Sequence, residues 1–253
     1  MLVSAGAAAI HVGIGRMTVV PTRVSAGSSN ELGFTFVADS APLKGTTLVD
    51  VPRGWSQPQQ TNPSAPGYVE LQAGGCGRTR ISRIAGRRIV IATQCARRRS
   101  YRLLYHRAVA PILAADGYVF LTQTKPAKSR KKARFRPLGP QKQPVVRVRG
   151  AVAAGLFMTI TSVATAGVPF GATVRVVDQF GNNAADYAGT VTLTTTDLAG
   201  TMSAPYTLGP TEAAQHTFTG LVLRTPGTQR VTAKDPHGFT IQSGPITVSP
   251  LSG

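Results

Sequence analysis

Apolar and polar positions alternate along most of this chain. Leu32, Phe34, Phe36 and Ala38 recur at every second residue, as do Tyr101, Leu103 and Tyr105, then Val174 and Val176, then Val191 and Leu193. A period of two places successive side chains on opposite faces of a half-buried strand. Turn chemistry separates these runs: Val-Pro-Arg-Gly-Trp at 51–55, Asn-Pro-Ser-Ala-Pro-Gly at 62–67 and Phe-Gly-Asn-Asn at 180–183 supply the Gly, Pro and Asn that reversals need. No long amphipathic helix competes. At 97–108 a helical face of Tyr101, Leu104, Tyr105 and Ala108 can be drawn, but the aromatic content and the neighbouring strands favour β. On that strand Tyr101 and Tyr105 point inward together and Arg102 points away. The fold class predicted is all-β.

A boundary falls near Gly-Ala-Val-Ala-Ala-Gly at 150–155, and each half has the size of one sandwich domain. The reading is two tandem β-sandwiches joined by a short linker, at 16–150 and 154–250. Residues 1–15 begin Met-Leu-Val-Ser-Ala-Gly-Ala-Ala-Ala, small residues like those before a secretory cleavage site, without the basic start or full apolar core of a signal. They read as the remnant of such a signal or as a flexible N-terminus, on a gene model that is truncated or starts late. No run of 18 apolar residues occurs, so no transmembrane segment is predicted.

Charge divides the halves. Residues 1–150 hold 24 Lys and Arg against 5 Asp and Glu, a net of +19, and residues 151–253 hold 4 against 5, a net of −1, giving the +18 of the 253-residue chain. Twenty of the basic residues lie between Arg78 and Arg149, with Asp116 the one acid among them. Such a field attracts polyanions; the plainer reading is that arginine from GC-rich coding solvates exposed strand faces. The stretch 124–144 combines this charge with four prolines. Repulsion and proline both oppose compaction, so much of it is expected to be a mobile loop or an irregular edge. The candidate polyanion-binding residues are Arg97, Arg98, Arg99 and Arg102, with Lys128, Arg130, Lys131, Lys132, Arg134 and Arg136. Arginine forks match phosphate and carboxylate oxygens, and Tyr101, Tyr105 and Phe135 are interleaved with them.

Cys76 and Cys95 are 19 positions apart, with no second pair. A disulfide between them is favoured and would place the chain in an oxidising compartment; two buried free thiols are the alternative. His11, His106, His216 and His237 are scattered, so neither a zinc nor a haem site is assembled, and no metal or cofactor is expected. The G-x-S-x-G elbow and the phosphate-binding loop are absent, and Gly13-Ile-Gly15 lacks its third glycine. Asp178, Asp186 and Asp197 are close in sequence but fall in turn chemistry, so neither a carboxylate pair for sugar hydrolysis nor a calcium site is read from them. No catalytic residue is assigned and no enzyme is expected.

Residues 166–197, with Val176, Asp178, Gly181 and Asn182 forming a V-x-D-x-x-G-N core, and 216–235 resemble the bacterial immunoglobulin-like repeats of secreted and surface proteins. In that core an inward strand ends at Asp178, whose carboxylate can accept turn amides, while Gly181 and Asn182 tolerate a left-handed backbone. The resemblance covers 154–250 and implies an immunoglobulin-like sandwich serving as spacer or adhesive module. Leu32–Phe36, Thr47–Trp55, Asn62–Val69, Arg88–Ile91 and Val145–Val148 resemble, more distantly, a second bacterial surface β-sandwich repeat. From its arginine clusters, cysteine pair and basic insertion the first half departs from that pattern. Trp55 is expected to pack as a core or lid aromatic, with sugar stacking as the alternative.

The function expected is therefore a non-enzymatic exported bacterial protein, secreted or at the cell surface. Its basic first domain contacts anionic cell-wall or extracellular polymers, and other immunoglobulin-like domains of the same or a partner surface protein are further partners. Two alternatives stand beside it: a nucleic-acid-binding protein using the same patch, and an inert spacer fragment of a longer surface protein.

Overall fold

Period-two burial is what the first strands of the structure show: Met17 and Val19 point in while Arg16, Thr18 and Val20 point out. The structure, a computed structural model, describes residues 12–39, 41–127, 133–209 and 214–251. The chain divides into two compact units, Met1–Val148 and Arg149–Gly253, each with its own apolar core.

The first unit contains β1 (Arg16–Val20), β2 (Arg23–Ser25), β3 (Ser29–Val37), β4 (Leu43–Asp50), β5 (Tyr68–Gln72), β6 (Arg80–Ala85), β7 (Arg88–Cys95), β8 (Ser100–Val109), β9 (Ala115–Val119), β10 (Leu121–Pro126), β11 (Arg136–Pro137) and β12 (Val145–Arg149). One sheet has the order β1-β3-β8-β5. The opposing layer is built from β11-β10-β4-β7-β6 and β2-β12-β9, which meet where β9 and β10 are separated by Phe120 alone. The arrangement is immunoglobulin-like: β1, β3, β8 and β5 make one sheet, and β10 and β7 flank β4 in the other. Phe34, Phe36, Tyr101, Leu103 and Tyr105 from one sheet meet Val49, Ile89, Ile91 and Phe120 from the other. Each such side chain contributes roughly 1.5–3 kcal/mol by leaving water. In segment 97–108 strand β8 runs from Ser100 onward and no helix forms; Arg102 is exposed between buried Tyr101 and Leu103.

Trp55 is 2% exposed and packs edge-on against Phe120 at 5.2 Å and Tyr118 at 6.3 Å between ring centroids. Burial leaves it no face for a sugar, so the stacking alternative is withdrawn. The loop carrying it is held by Arg87, whose Nε donates to the Val51 carbonyl at 3.0 Å and whose Nη2 donates to those of Pro52 at 2.5 Å and Trp55 at 2.6 Å. Tyr105 adds its hydroxyl to the Ser56 carbonyl. Arg87→Gln strands these carbonyls and should cost the first unit about 2 kcal/mol, read by urea unfolding at the Trp55 fluorescence.

Cys76 and Cys95 form a disulfide. It closes the β6–β7 hairpin, which extends the layer past β4 and bears a register shift between Ile81 and Arg83.

One expectation shifts at the start of the first unit, and a second is made specific near its end. Gly13 and Ile14, grouped above with a flexible N-terminus, are tied into the sandwich: Gly13 N–H donates to the Pro137 carbonyl at 2.7 Å and Ile14 N–H to Thr124 Oγ1 at 2.8 Å. Residues 1–11 of that segment lie outside the described residues. In 124–144, Thr124 through Pro126 belong to β10 and pair with β4, Arg136 pairs with Thr124, and Leu138 is buried. Its described part is thus an irregular edge, with the two-residue β11 outermost in its sheet and inward-facing Thr124 and Leu138 holding it; residues 128–132 lie outside the described residues.

The second unit contains β13 (Gly155–Ile160), β14 (Val163–Thr165), β15 (Phe170–Val177), β16 (Gly189–Thr195), β17 (Tyr206–Leu208), β18 (Gln215–Leu221), β19 (Gly227–Gln229), β20 (Val231–Lys234), β21 (Thr240–Gln242) and β22 (Ile246–Ser249). Its sheets are β13-β15-β18, β14-β22-β19 and β17-β16-β20-β21. With β19 and β20 parted only by Arg230, this too is an immunoglobulin-like sandwich, and β14 pairs with the last strand β22 in parallel. The stretch expected as a linker at 150–155 is packed onto this unit. Ala151 N–H donates to Asp178 Oδ2 at 2.8 Å, and a Cβ on Gly150 would fall 2.0 Å from the Asn183 carbonyl.

Candidate anion-binding surface

Arg97, Arg98 and Arg99 occupy the turn between β7 and β8, and all three are exposed. Arg98 takes a left-handed backbone, φ 63°, a conformation that costs a non-glycine residue of order 1 kcal/mol. Flanking bonds hold it: Arg98 N–H donates to the Ala38 carbonyl at 2.6 Å, and Ala38 N–H to that of Arg99 at 3.1 Å. On the other side the turn abuts the Cys95 end of the disulfide. The arginine side chains are thereby presented outward from a fixed backbone.

The predicted cations do not form one patch. Arg102 lies on the outer face of the β1-β3-β8-β5 sheet, its guanidinium crossing Gly33, where a Cβ would meet Nη2 at 2.6 Å. Arg134 and Arg136 are exposed at the opposite layer's β11 edge. Lys128, Arg130, Lys131 and Lys132 lie outside the described residues. Tyr101 and Tyr105 are 1% and 0% exposed, and the Phe135 ring is covered by Lys125 Nζ, 4.9 Å from its centroid.

Register assembles a second group that the sequence did not single out. Across the outer face of the β10-β4-β7-β6 sheet, Lys125, Thr46, Ala92 and Arg80 form one row, Gln123, Leu48, Val90 and Arg83 the next, and Leu121, Asp50, Arg88 and Ala85 the third. Lys44 stands opposite Gln94. Lys44, Arg78, Arg80 and Gln94 line one shallow hollow of about 230 Å³. The signal was present only as spaced arginines in 78–88. Placing them on one face requires the strand pairing and the shift at Ile81/Arg83.

Each acid of the first unit is engaged elsewhere. Asp50 pairs with Arg88 at 2.8 Å, Asp39 with Lys142 at 2.9 Å and Asp116 with Arg147 at 3.1 Å. Glu31 and Glu70 flank His106 at 2.5 and 3.5 Å. Among the described residues no carboxylate pairs with Arg97, Arg98, Arg99, Arg102, Arg134 or Arg136, nor with Lys44, Arg78 or Arg80.

The second unit uses its acids to build turns. Asp178 accepts from the Phe180 and Asn182 N–H groups through Oδ1, each at 2.9 Å, and from Ala151 N–H and Asn182 Nδ2 through Oδ2, at 2.8 and 2.9 Å. Burial acts to raise its pKa, but these donors outweigh it and hold the carboxyl below its ordinary range. Gly181 has φ 83°, as its place in the motif requires. Asn182 does not share the left-handed backbone; it serves through its side-chain amide, which corrects its expected role. Asp197 likewise accepts from Arg224, Thr225 and Ala199 N–H groups at 2.6, 3.0 and 3.0 Å and from the Thr225 hydroxyl at 2.7 Å. Against the upward push of burial these hold it at about 2.

A hollow of about 430 Å³ in this unit is lined by Asp186, Tyr187, His237 and Phe239 among others. Beside it Asp235, its side chain buried, accepts from the Tyr187 hydroxyl at 2.8 Å and from the His237 and Phe239 N–H groups at 3.1 and 2.8 Å. Burial first, and then the Asp235 carboxylate, push the Tyr187 hydroxyl's pKa up. The cluster orders a turn. Among the described residues no group of three or more His, Cys, Asp or Glu is placed to hold a metal ion, and no helix is long and apolar enough to cross a membrane.

No family model matches the chain, and no curated protein matches it. Among solved structures, it is similar to the Yersinia pseudotuberculosis adhesin InvE, with 10% identity, 92% of this chain and 58% of that one covered, and a TM-score of 0.31. A Corynebacterium diphtheriae protein described as membrane-anchored gives 15%, 94%, 54% and 0.30, and an ICAM-5 D1–D4 ectodomain fragment 13%, 94%, 52% and 0.30. This chain thus spans a little over half the length of each. Likenesses this low transfer no activity, ligand or partner to it.

Proposed function

We propose that this is a non-enzymatic, exported immunoglobulin-like module, of the kind found as repeats in bacterial secreted and surface proteins, whose basic first unit contacts anionic polymers of a cell wall or extracellular matrix. The observation that carries the reading is the surplus of exposed, unpaired cations on the first unit, every acid of which is already engaged, beside a second unit with a net charge near zero. The Cys76–Cys95 disulfide supports an oxidising, extracytoplasmic location. A polysaccharide or polyol-phosphate chain is favoured over nucleic acid because, of the aromatic rings interleaved with the arginines, Tyr101 and Tyr105 are buried and half-buried Phe135 has Lys125 over one face, which takes away most of the surface on which bases would stack.

Contact of this kind is Coulombic and releases counterions, so affinity of the full chain for immobilised heparin should fall steeply and linearly in log–log form as salt rises. Arg97→Gln, Arg98→Gln and Arg99→Gln together should lower the salt needed for elution. Retention that ignores salt would dismiss the reading. Tighter binding to duplex DNA than to heparin at equal charge would move the surface to nucleic acid.

A further inference from the structure

We propose that the hollow bounded by Lys44, Arg78 and Arg80 is a seat for a tetrahedral oxyanion, the sulfate or phosphate ester group of an anionic polymer. It rests on the reading above and narrows it from charge to chemistry.

The seat is built by the fold. Thr79 is 5% exposed; its hydroxyl donates to the Cys76 carbonyl at 2.8 Å and accepts the Gln94 N–H at 3.0 Å. With Thr79 turned inward, its neighbours Arg78 and Arg80 turn outward and are exposed. The disulfide fastens Cys76 to the residue following Gln94, so both arginines are held at the end of β7. Lys44 reaches the same place from β4, where it pairs with Gln94. Beneath them Gly45 lets the end of β10 come close: a Cβ there would fall 2.1 Å from the Lys125 carbonyl oxygen.

Among the described residues no carboxylate pairs with any of the three cations. The acid on the same face, Asp50, is six residues along β4 from Lys44, about 20 Å at the usual strand rise, and is occupied by Arg88. Three cations, Lys44 on β4, Arg80 at the start of β6 and Arg78 two residues before it, suit an anion whose oxygens diverge in three directions. A carboxylate presents two oxygens in one plane and is satisfied by a single guanidinium fork. The lining carries no aromatic ring, so a base or a sugar face would find nothing to stack on. The Arg97–Arg99 turn supplies attraction without selection; the hollow supplies the selection.

The test uses the full chain at fixed ionic strength. It compares heparin, polyglycerol phosphate, a carboxylate-only polymer (hyaluronate) and duplex DNA as titrants. It also compares Lys44→Gln/Arg78→Gln/Arg80→Gln with the charge-matched Arg97→Gln/Arg98→Gln/Arg99→Gln. Wild type should bind an ester polymer at least tenfold more tightly than hyaluronate, the better of heparin and polyglycerol phosphate telling which ester is seated. The hollow variant should lose that preference, and the turn variant should weaken binding to all polymers while keeping it. Equal losses in the two variants, or a preference that survives in the hollow variant, would overturn the seat while leaving the polyanion reading intact. Absence of heparin and polyglycerol phosphate binding in wild type would instead overturn that reading itself, and DNA binding tighter than either would reassign both. The single variant Lys44→Gln, read the same way, serves if the triple variant loses its Trp55 unfolding transition.

Discussion

Replacing Cys76 and Cys95 together by alanine lowers the stability of the first unit by roughly 3 kcal/mol, the loop-closure value for a bridge of this span. The cysteines are 19 positions apart and 1% and 2% exposed, so alanine leaves no buried polar group and the loss reports the lost cross-link. Trp55 is the chain's one tryptophan and sits in that unit's core, which makes its fluorescence a selective readout in urea. The transition it reports should move to lower urea, while the part of the far-ultraviolet dichroism signal owed to the second unit stays in place. An unmoved tryptophan transition would mean that the paired strands of the β6–β7 hairpin hold it without the bridge.

Asp197→Ala should cost the second unit roughly 3 kcal/mol, because three backbone N–H groups and the Thr225 hydroxyl lose their acceptor in a buried turn. The effect depends on pH with a definite sign. The folded carboxyl titrates at about 2, below its ordinary 3.8, so its contribution is complete above about pH 4 and is lost as pH falls through 2. Asp178, held low by its own donors, acts in the same direction. Unfolding curves of wild type and Asp197→Ala, followed by dichroism, should differ most above pH 4 and converge towards pH 2. A gap that stays constant over that range would remove the carboxylate as its cause.

Strands were legible because burial follows the two-residue period of a pleated sheet. Tyr101, Leu103 and Tyr105 show it most plainly, buried on β8 while Arg102 between them is exposed. The Asp178 turn was legible because a short acid, a glycine and an asparagine at that spacing satisfy one another locally. What needs distant partners was not. Lys44 and Arg80 are brought together by the pairing of β4 with β7 and of β7 with β6, and no local pattern sets that register. Arg87 was one more arginine in a basic run, yet its fork serves three carbonyls of a loop more than 30 positions away. Charge in the sequence therefore counted the cations correctly but could not separate those that build the sandwich from those that face outward.

The parallel pairing of β14 with β22 has a mechanical side. Ala166 N–H donates to the Ser249 carbonyl at 2.8 Å, and Thr247 N–H to that of Ser162 at 2.9 Å. Tension applied between Val163, at the start of β14, and Ser249, at the end of β22, drags these strands past each other along their length. The bonds are then loaded side by side in shear and share the force, whereas an antiparallel terminal pair would peel open one bond at a time.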